Sequence, residues 1–148
     1  MTSTAIRFPD PQRATRDALR AVLPAYGLDA SVSMSRPETA TGVPLSRPHI
    51  RVRSDSAYRT SRVSAEADIR LTIFAKDEGA AMALAADVEA ALLAEVTTSD
   101  LLGFRSLSGP TPGADFEMTQ GTGTGTGEPI ALLTLSARLR PHHLLRKD

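Results

Sequence analysis

The sequence predicts an α+β domain, with a mostly antiparallel sheet, an N-terminal helix and a central Ala-rich helix packed on one face, and a projecting hairpin. Three stretches of the 148 residues carry this prediction. The first is Ala67–Leu93. Ile69, Leu71 and Ile73 alternate with Asp68, Arg70 and Thr72, the period of a half-buried strand. After Lys76-Asp-Glu-Gly79 the period changes to that of a helix, with Ala81, Leu84, Ala85, Val88, Ala91 and Leu92 on one stripe. The second is Asp10-Pro11, a capping acid followed by proline at the first helical position. The third is Pro129–Arg140, whose Ala131, Leu133, Leu135, Ala137 and Leu139 again alternate. Helix and strand blocks in this order are the layout of an α+β domain.

In chain order, residues 1–9 are an N-terminal extension. The first helix should run from Asp10 to near Leu23, burying Ala18, Leu19, Val22 and Leu23. Pro24 cannot donate to the preceding turn, and Gly27 marks a stop. Ala30–Met34 reads as a short strand. Ser35–Pro48, with three prolines and Gly42, reads as a loop. His49–Arg53 alternates, with Ile50 and Val52 inward and Arg51 and Arg53 outward. Ser54–Ser64 is either a turn or the tip of a long hairpin. If the flanking strands continue into it, the hairpin projects.

Asp77 is placed to cap the central helix, expected over Glu78–Glu95. Leu84, Val88 and Leu92 should hold it to the core. Its other side, Ala80, Ala83, Asp87, Ala90 and Ala94, is unusually small for a solvated face. Ala favours helix formation by itself, but small side chains also admit a neighbouring element. Thr97–Asp100 breaks the helix. Gly103–Ser108 reads as a strand, Gly109–Gly113 as a turn, and Asp115–Thr119 as a further strand. Residues 121–127, a Gly-Thr repeat, form a flexible loop. Both faces of Pro129–Arg140 are apolar early on, so its first half should be covered on both sides. Residues 142–148 are a tail outside the sheet.

A chain of this length makes one domain with one core. The composition is 41% hydrophobic and 4% aromatic, so that core is built from Leu, Val, Ile and Ala. Formal net charge is zero, which gives no global reason for nucleic-acid or membrane binding. The distribution is uneven. Arg47–Arg70 holds six Arg against Asp55, Glu66 and Asp68, about +3. Lys76–Asp100 holds one Lys against six acids, about −5. Such runs are ordinarily solvated faces; the sharper alternative is two electrostatic poles that meet a neighbouring copy of the chain. There is no cysteine, so disulfides, thiolate metal sites and a cysteine nucleophile are excluded. Met1–Phe8 lacks the apolar core of a signal peptide. No run reaches the roughly 18 apolar residues of a membrane span.

Chemistry is hard to place. The Gly-Thr repeat lacks the Lys and helix of a phosphate-binding loop. His142 and His143 have no third metal ligand in view. His49 with nearby serines has no nucleophile elbow. Asp115 and Glu117 stand two apart, with nothing to shift one pKa. The arginines of 47–62 lack the interleaved aromatics that stack bases, Tyr58 apart. No catalytic, metal or cofactor site is assigned. The residues read as a subunit or tube interface are Arg51, Arg53, Tyr58, Arg59 and Arg62, with Ala83, Asp87 and Ala90 on the central helix.

Several of these parts together resemble the tail terminator proteins of long, flexible-tailed bacteriophages. They are the helix Asp10–Leu23 with its Pro/Gly break, the strand Pro48-His-Ile-Arg-Val52, and the strand-to-helix unit Ala67–Ala85. Gly109-Pro110 followed by Asp115 and the strand Leu133–Pro141 complete the set. The resemblance spans about residues 10–141 and rests on patterns and spacings. It implies a structural virion protein without catalysis or cofactor. Such proteins form hexameric rings that cap the tail tube, end its polymerisation and meet the head-side connector or stopper protein. DNA passes through without being read. The expected location is the head-proximal end of the virion tail, after assembly in the host cytoplasm. The alternatives are another head–tail neck adaptor or tail completion protein, or, in a different class, a small α+β enzyme or ligand-binding domain. An enzyme predicts a deep pocket with convergent polar groups.

Overall fold

The computed structural model describes residues 4–35, 37, 47–94, 102–115, 128–141 and 143–146. In chain order these form β1 (Thr4–Arg7), α1 (Pro11–Ala25), β2 (Ser31–Ser33), β3 (His49–Arg59) and β4 (Ala65–Phe74). There follow α2 (Glu78–Ala94), β5 (Leu102–Asp115), β6 (Glu128–Leu139) and β7 (His143–Arg146). Five strands make one sheet in the order β2-β3-β4-β6-β5, and β1 pairs with β7 in a separate ribbon. Only β2 and β3 run parallel; every other pair is antiparallel. This is the α+β class that the sequence predicts.

The register explains the core. Ile69, Leu71 and Ile73 of β4 stand opposite Leu135, Leu133 and Ala131 of β6. Val52 and Ile50 of β3 stand opposite Leu71 and Ile73. All are fully buried, and both helices cover this face of the sheet. α1 contributes Ala18, Leu19, Val22 and Leu23, and α2 contributes Ala81, Ala85, Val88, Ala91 and Leu92. Each large aliphatic side chain taken from water stabilises the fold by about 1.5–3 kcal/mol. Leu84 is only half-buried, at the margin of the stripe, so Val88 and Leu92 hold α2 more firmly than it does. On the other sheet face Thr72 and Ser136 are buried. Phe74 and Ile130 are also buried there, whereas Arg138 at the opposite end of β6 is exposed.

Helix ends follow from their caps. The Asp10 carboxylate accepts from the Gln12 and Arg13 amides at 3.0 and 3.3 Å. Asp77 accepts from the Ala80 amide at 2.7 Å and starts α2 at Glu78. α1 runs two residues past the expected end, through Pro24 to Ala25. Proline removes a bond only at its own amide, and in the last turn the loss is tolerated. Gly27 (φ +70) is the stop. Its amide donates to the Pro24 carbonyl and the Leu28 amide to the Leu23 carbonyl, the left-handed termination that glycine permits.

Two expectations are corrected. Gly109–Gly113 is no turn: β5 continues through it to Asp115, with register shifts after Ser106 and Ser108. β5 is an edge strand: Pro110 falls in the shift between Ser108 and Thr111, and Pro112 stays in register opposite Ala131, tolerated because an edge strand is paired on one side only. The segments before and after the core are also not bare extensions, since Thr4–Arg7 pairs with His143–Arg146. The ladder satisfies backbone groups of two short apolar segments. Thr97–Asp100, Phe116–Thr119 and the Gly-Thr repeat lie outside the described residues, as does most of the Ser35–Pro48 loop.

Candidate functional site

The β3–β4 hairpin forms with both strands extended, and the chain is exposed from Asp55 to Val63. A bulge after Ser54 lets Ser56 and Tyr58 face the same side as Arg51 and Arg53. The β4 limb stays paired with β6 down to Ala65. Projection is therefore confined to the turn Thr60–Ser64, closed by the Thr60 and Ser61 amides on the Ser64 carbonyl.

On the face away from the helices, the register assembles a charged surface. Arg53 stands opposite Arg70, and Tyr58 opposite Glu66. Glu66 also stands opposite Arg138, and Arg105 opposite Ser136. Arg70 reaches Asp55 at 3.1 Å, Ser56 donates to Asp68 at 3.1 Å, and Tyr58 donates to Glu66 at 3.3 Å. Among the described residues, Arg53, Arg105 and Arg138 have no carboxylate within ion-pair distance. Partial desolvation, then the Glu66 and Asp68 carboxylates, push the Tyr58 phenol above its ordinary pKa, so it remains a neutral donor.

The sequence grouped Arg51, Arg53, Tyr58, Arg59 and Arg62 as one patch; the structure divides them. Arg51, Arg53 and Tyr58 share the outer sheet face. Arg59 pairs with Ala65 and turns to the helix side. There it lies over the Phe8 ring at 4.9 Å from its centroid and donates to the Ile6 carbonyl. It also donates to the Arg62 carbonyl at 3.2 Å. Arg59 is thus a clamp on the N-terminal segment, and Arg62 sits exposed in the turn.

Ala83, Asp87 and Ala90 are exposed on α2, as are Ala86 and Ala94, whereas Ala80 is half-buried. This face lies on the opposite side of the sheet from Arg53. Its exposed acids are Asp77, Glu78 and Asp87. Glu89 is half-buried and accepts from Ser106 at 2.8 Å. Arg53 and Arg70 thus lie on the opposite side of the sheet from Asp87, whereas Arg59 and Arg62 lie off the arginine face and Glu95 and Asp100 lie outside the described residues.

His49, set aside in the sequence as lacking a nucleophile elbow, sits in a serine cluster that the sequence does not delimit. His49 is 7% exposed and is held by the alternating serines of β2. Its Nε2 lies 3.0 Å from the Ser35 carbonyl, which can only accept, so the proton sits on Nε2. Nδ1 then accepts from the Ser31 hydroxyl at 2.6 Å, and Ser33 Oγ lies 3.0 Å from Nε2. Desolvation lowers the His49 pKa, and the nearby Arg51 charge lowers it further against the Ser35 bond. The signal was the period of two in Ser31, Ser33 and Ser35. No carboxylate among the described residues joins this network, and it ties β2 to β3.

A groove of about 520 Å³ runs between the N-terminal segment and α1, lined by Arg7, Phe8, Pro9, Asp10, Arg13 and Asp17 among others. It contains no nucleophile–base pair. Among the described residues no cluster of three or more His, Cys, Asp or Glu could hold a metal, and no helix is long and apolar enough to cross a membrane. Asp115 belongs to β5, and Glu117 lies outside the described residues. No protein-family model matches the chain, and no curated protein matches it.

Proposed function

We propose that the chain is a structural assembly protein that forms a ring, a hexamer in the resembled family, capping the tail tube of a long-tailed bacteriophage. It ends tube polymerisation and joins the tail to the head-side connector. The observation that carries this reading is the placement of an arginine-bearing sheet face and an acidic, small-residue helix face on opposite sides of one domain. Opposed complementary faces support head-to-tail contact, which closes into a ring when the rotation per subunit allows. Arg53 meets Asp87 and the alanines of a neighbour's α2 in this arrangement. The small side chains admit its close approach. No enzymatic role is part of the proposal.

The test replaces Arg53 and Arg62 by Glu together. Arg59 is left intact because it clamps the N-terminal segment within its own subunit. Light scattering should show assembly of the parent protein, alone or on added tail tubes, and loss of it in the folded double variant. Unchanged assembly would refute the interface. Particles lacking the protein should carry overlong tails without heads; tails of normal length would sink the terminator reading and leave a neck adaptor.

A further inference from the structure

We propose that the outer edge of β7 accepts an extended, acidic segment of a partner protein as a third strand of the β1–β7 ribbon. The inference comes from the state of every strand edge. At β2 the outward carbonyl of Val32 is taken by Arg20 (2.7 and 3.1 Å) and that of Ala30 by Arg47 (3.4 Å). At β3 the Ser54 amide is taken by Gln12 at 2.9 Å. Further along, the segment Arg7–Pro11 faces Ala57–Arg59 across a narrow groove. β5 is broken by bulges and carries Pro110 and Pro112. β1 gives its Ile6 carbonyl to Arg59. Guanidinium caps, bulges and prolines are how sheets prevent unwanted strand addition.

β7 has no such cap among the described residues. With the Ile6 carbonyl turned outward to Arg59, antiparallel alternation turns the N–H and C=O of its partner Leu144 outward too, on the opposite edge. Leu145, the next residue, then bonds inward to Ala5. Leu144 and Leu145 are each 50% exposed. A two-stranded ribbon of four-residue strands is marginal by itself, and an added strand completes it.

Charge selects the occupant. β1 and β7 contain no acid, and residues 140–148 hold Arg140, Arg146 and Lys147 against Asp148, about +2. Arg7 is exposed beside the ribbon. A second copy of β7 would bring two basic stretches together, which disfavours self-pairing. An extended segment with alternating apolar side chains and acidic flanks satisfies both the open backbone groups and the charge, the mode of β-strand addition. The inference does not rest on the ring reading, since neither face invoked there includes β1 or β7.

The test titrates the full chain with a capped, fluorescently labelled peptide of alternating valine and threonine flanked by aspartates. Saturable binding that weakens as salt rises is expected, with a lysine-flanked peptide at least about tenfold weaker, a difference of about 1.4 kcal/mol. Leu144→Pro removes the outward amide without removing a ribbon bond and should abolish binding, with exchange protection of the Leu145 amide retained. Should that protection be lost, the same peptide N-methylated on the amides that face β7 decides: its binding to the parent protein must fail. Binding that survives N-methylation or Leu144→Pro overturns the proposal. So does equal binding of the lysine-flanked peptide, or self-association of the chain through β7 in place of peptide binding.

Discussion

Replacing Thr72 by valine should stabilise the protein. Thr72 lies in the middle of β4, between Arg51 on β3 and Leu132 on β6. It is 1% exposed, and its hydroxyl has no hydrogen-bond partner among the described residues. A buried hydroxyl left unsatisfied costs about 1–3 kcal/mol. Valine keeps the branched shape, the restricted χ1 and the preference for strands, and removes that cost. A gain of about 1–2 kcal/mol is expected, and each kcal/mol moves Tm by about 2–4 °C for a domain of this size. Thr72→Ser separates shape from polarity. It keeps the hydroxyl, loses a buried methyl, and should be less stable than the parent by about 1 kcal/mol. The assay is urea and thermal unfolding of the three proteins, with an unchanged urea slope showing that only stability has moved. A Thr72→Val protein less stable than the parent by more than about 0.5 kcal/mol would refute the reasoning and show that the hydroxyl is bonded in solution.

Leu71→Ala, at the crossing of β3, β4 and β6 beneath the helices, should cost about 2–5 kcal/mol by loss of transfer energy and by the cavity it leaves. Urea unfolding measures it, and a cost below about 1 kcal/mol would mean that the site is not the packed centre described. His49 gives a pH signature. Its folded pKa is below the ordinary 6.5, mainly by desolvation, so the unfolded chain takes up the proton first. Stability is therefore fully present above pH 6.5 and falls as pH drops from there toward the folded pKa, by at most about 1.4 kcal/mol per pH unit. His49→Gln should remove this part of the dependence. Identical pH profiles of parent and variant would contradict the buried, neutral assignment.

The sequence was most legible where one physical cause acts locally. The inward residues of β4, the caps at Asp10 and Asp77, and the stop at Gly27 each depend on near neighbours, and each was read correctly. Pro24 misled because its effect depends on position within the helix, and that position is fixed by capping bonds beyond it. Gly109–Gly113 misled because glycine and proline mean a turn in a central strand but a bulge at an edge, and strand order is not local information. The β1–β7 pairing joins residues at the two extremes of the sequence, each too short to announce a strand. The hairpin arginines were identified as a group, but a bulge and the parity of the pleat set Arg59 apart from Arg53. The serine cage around His49 needed the parallel pairing of β2 with β3, which no local pattern encodes.

The directly opposed Arg53 and Arg70 sharpen the argument for where assembly acts. Like charges facing each other across a strand pair are destabilising, and of the two only Arg70 has a carboxylate partner among the described residues, Asp55. An isolated domain gains nothing from this arrangement; both side chains are exposed on the face of the sheet away from the helices. Because the edges of the five-stranded sheet are blunted by Arg20, Arg47, Gln12 and the bulged, proline-bearing β5, strand addition there is disfavoured, and the faces remain. In the proposed ring, Asp87 on the opposite face of another copy supplies Arg53 with a carboxylate, and its alanine neighbours leave room for a guanidinium. Charge, edge protection and small side chains are thus all reasons for the proposed contact of the sheet face with a neighbour's α2, as the open edge is for the proposed strand addition at β7.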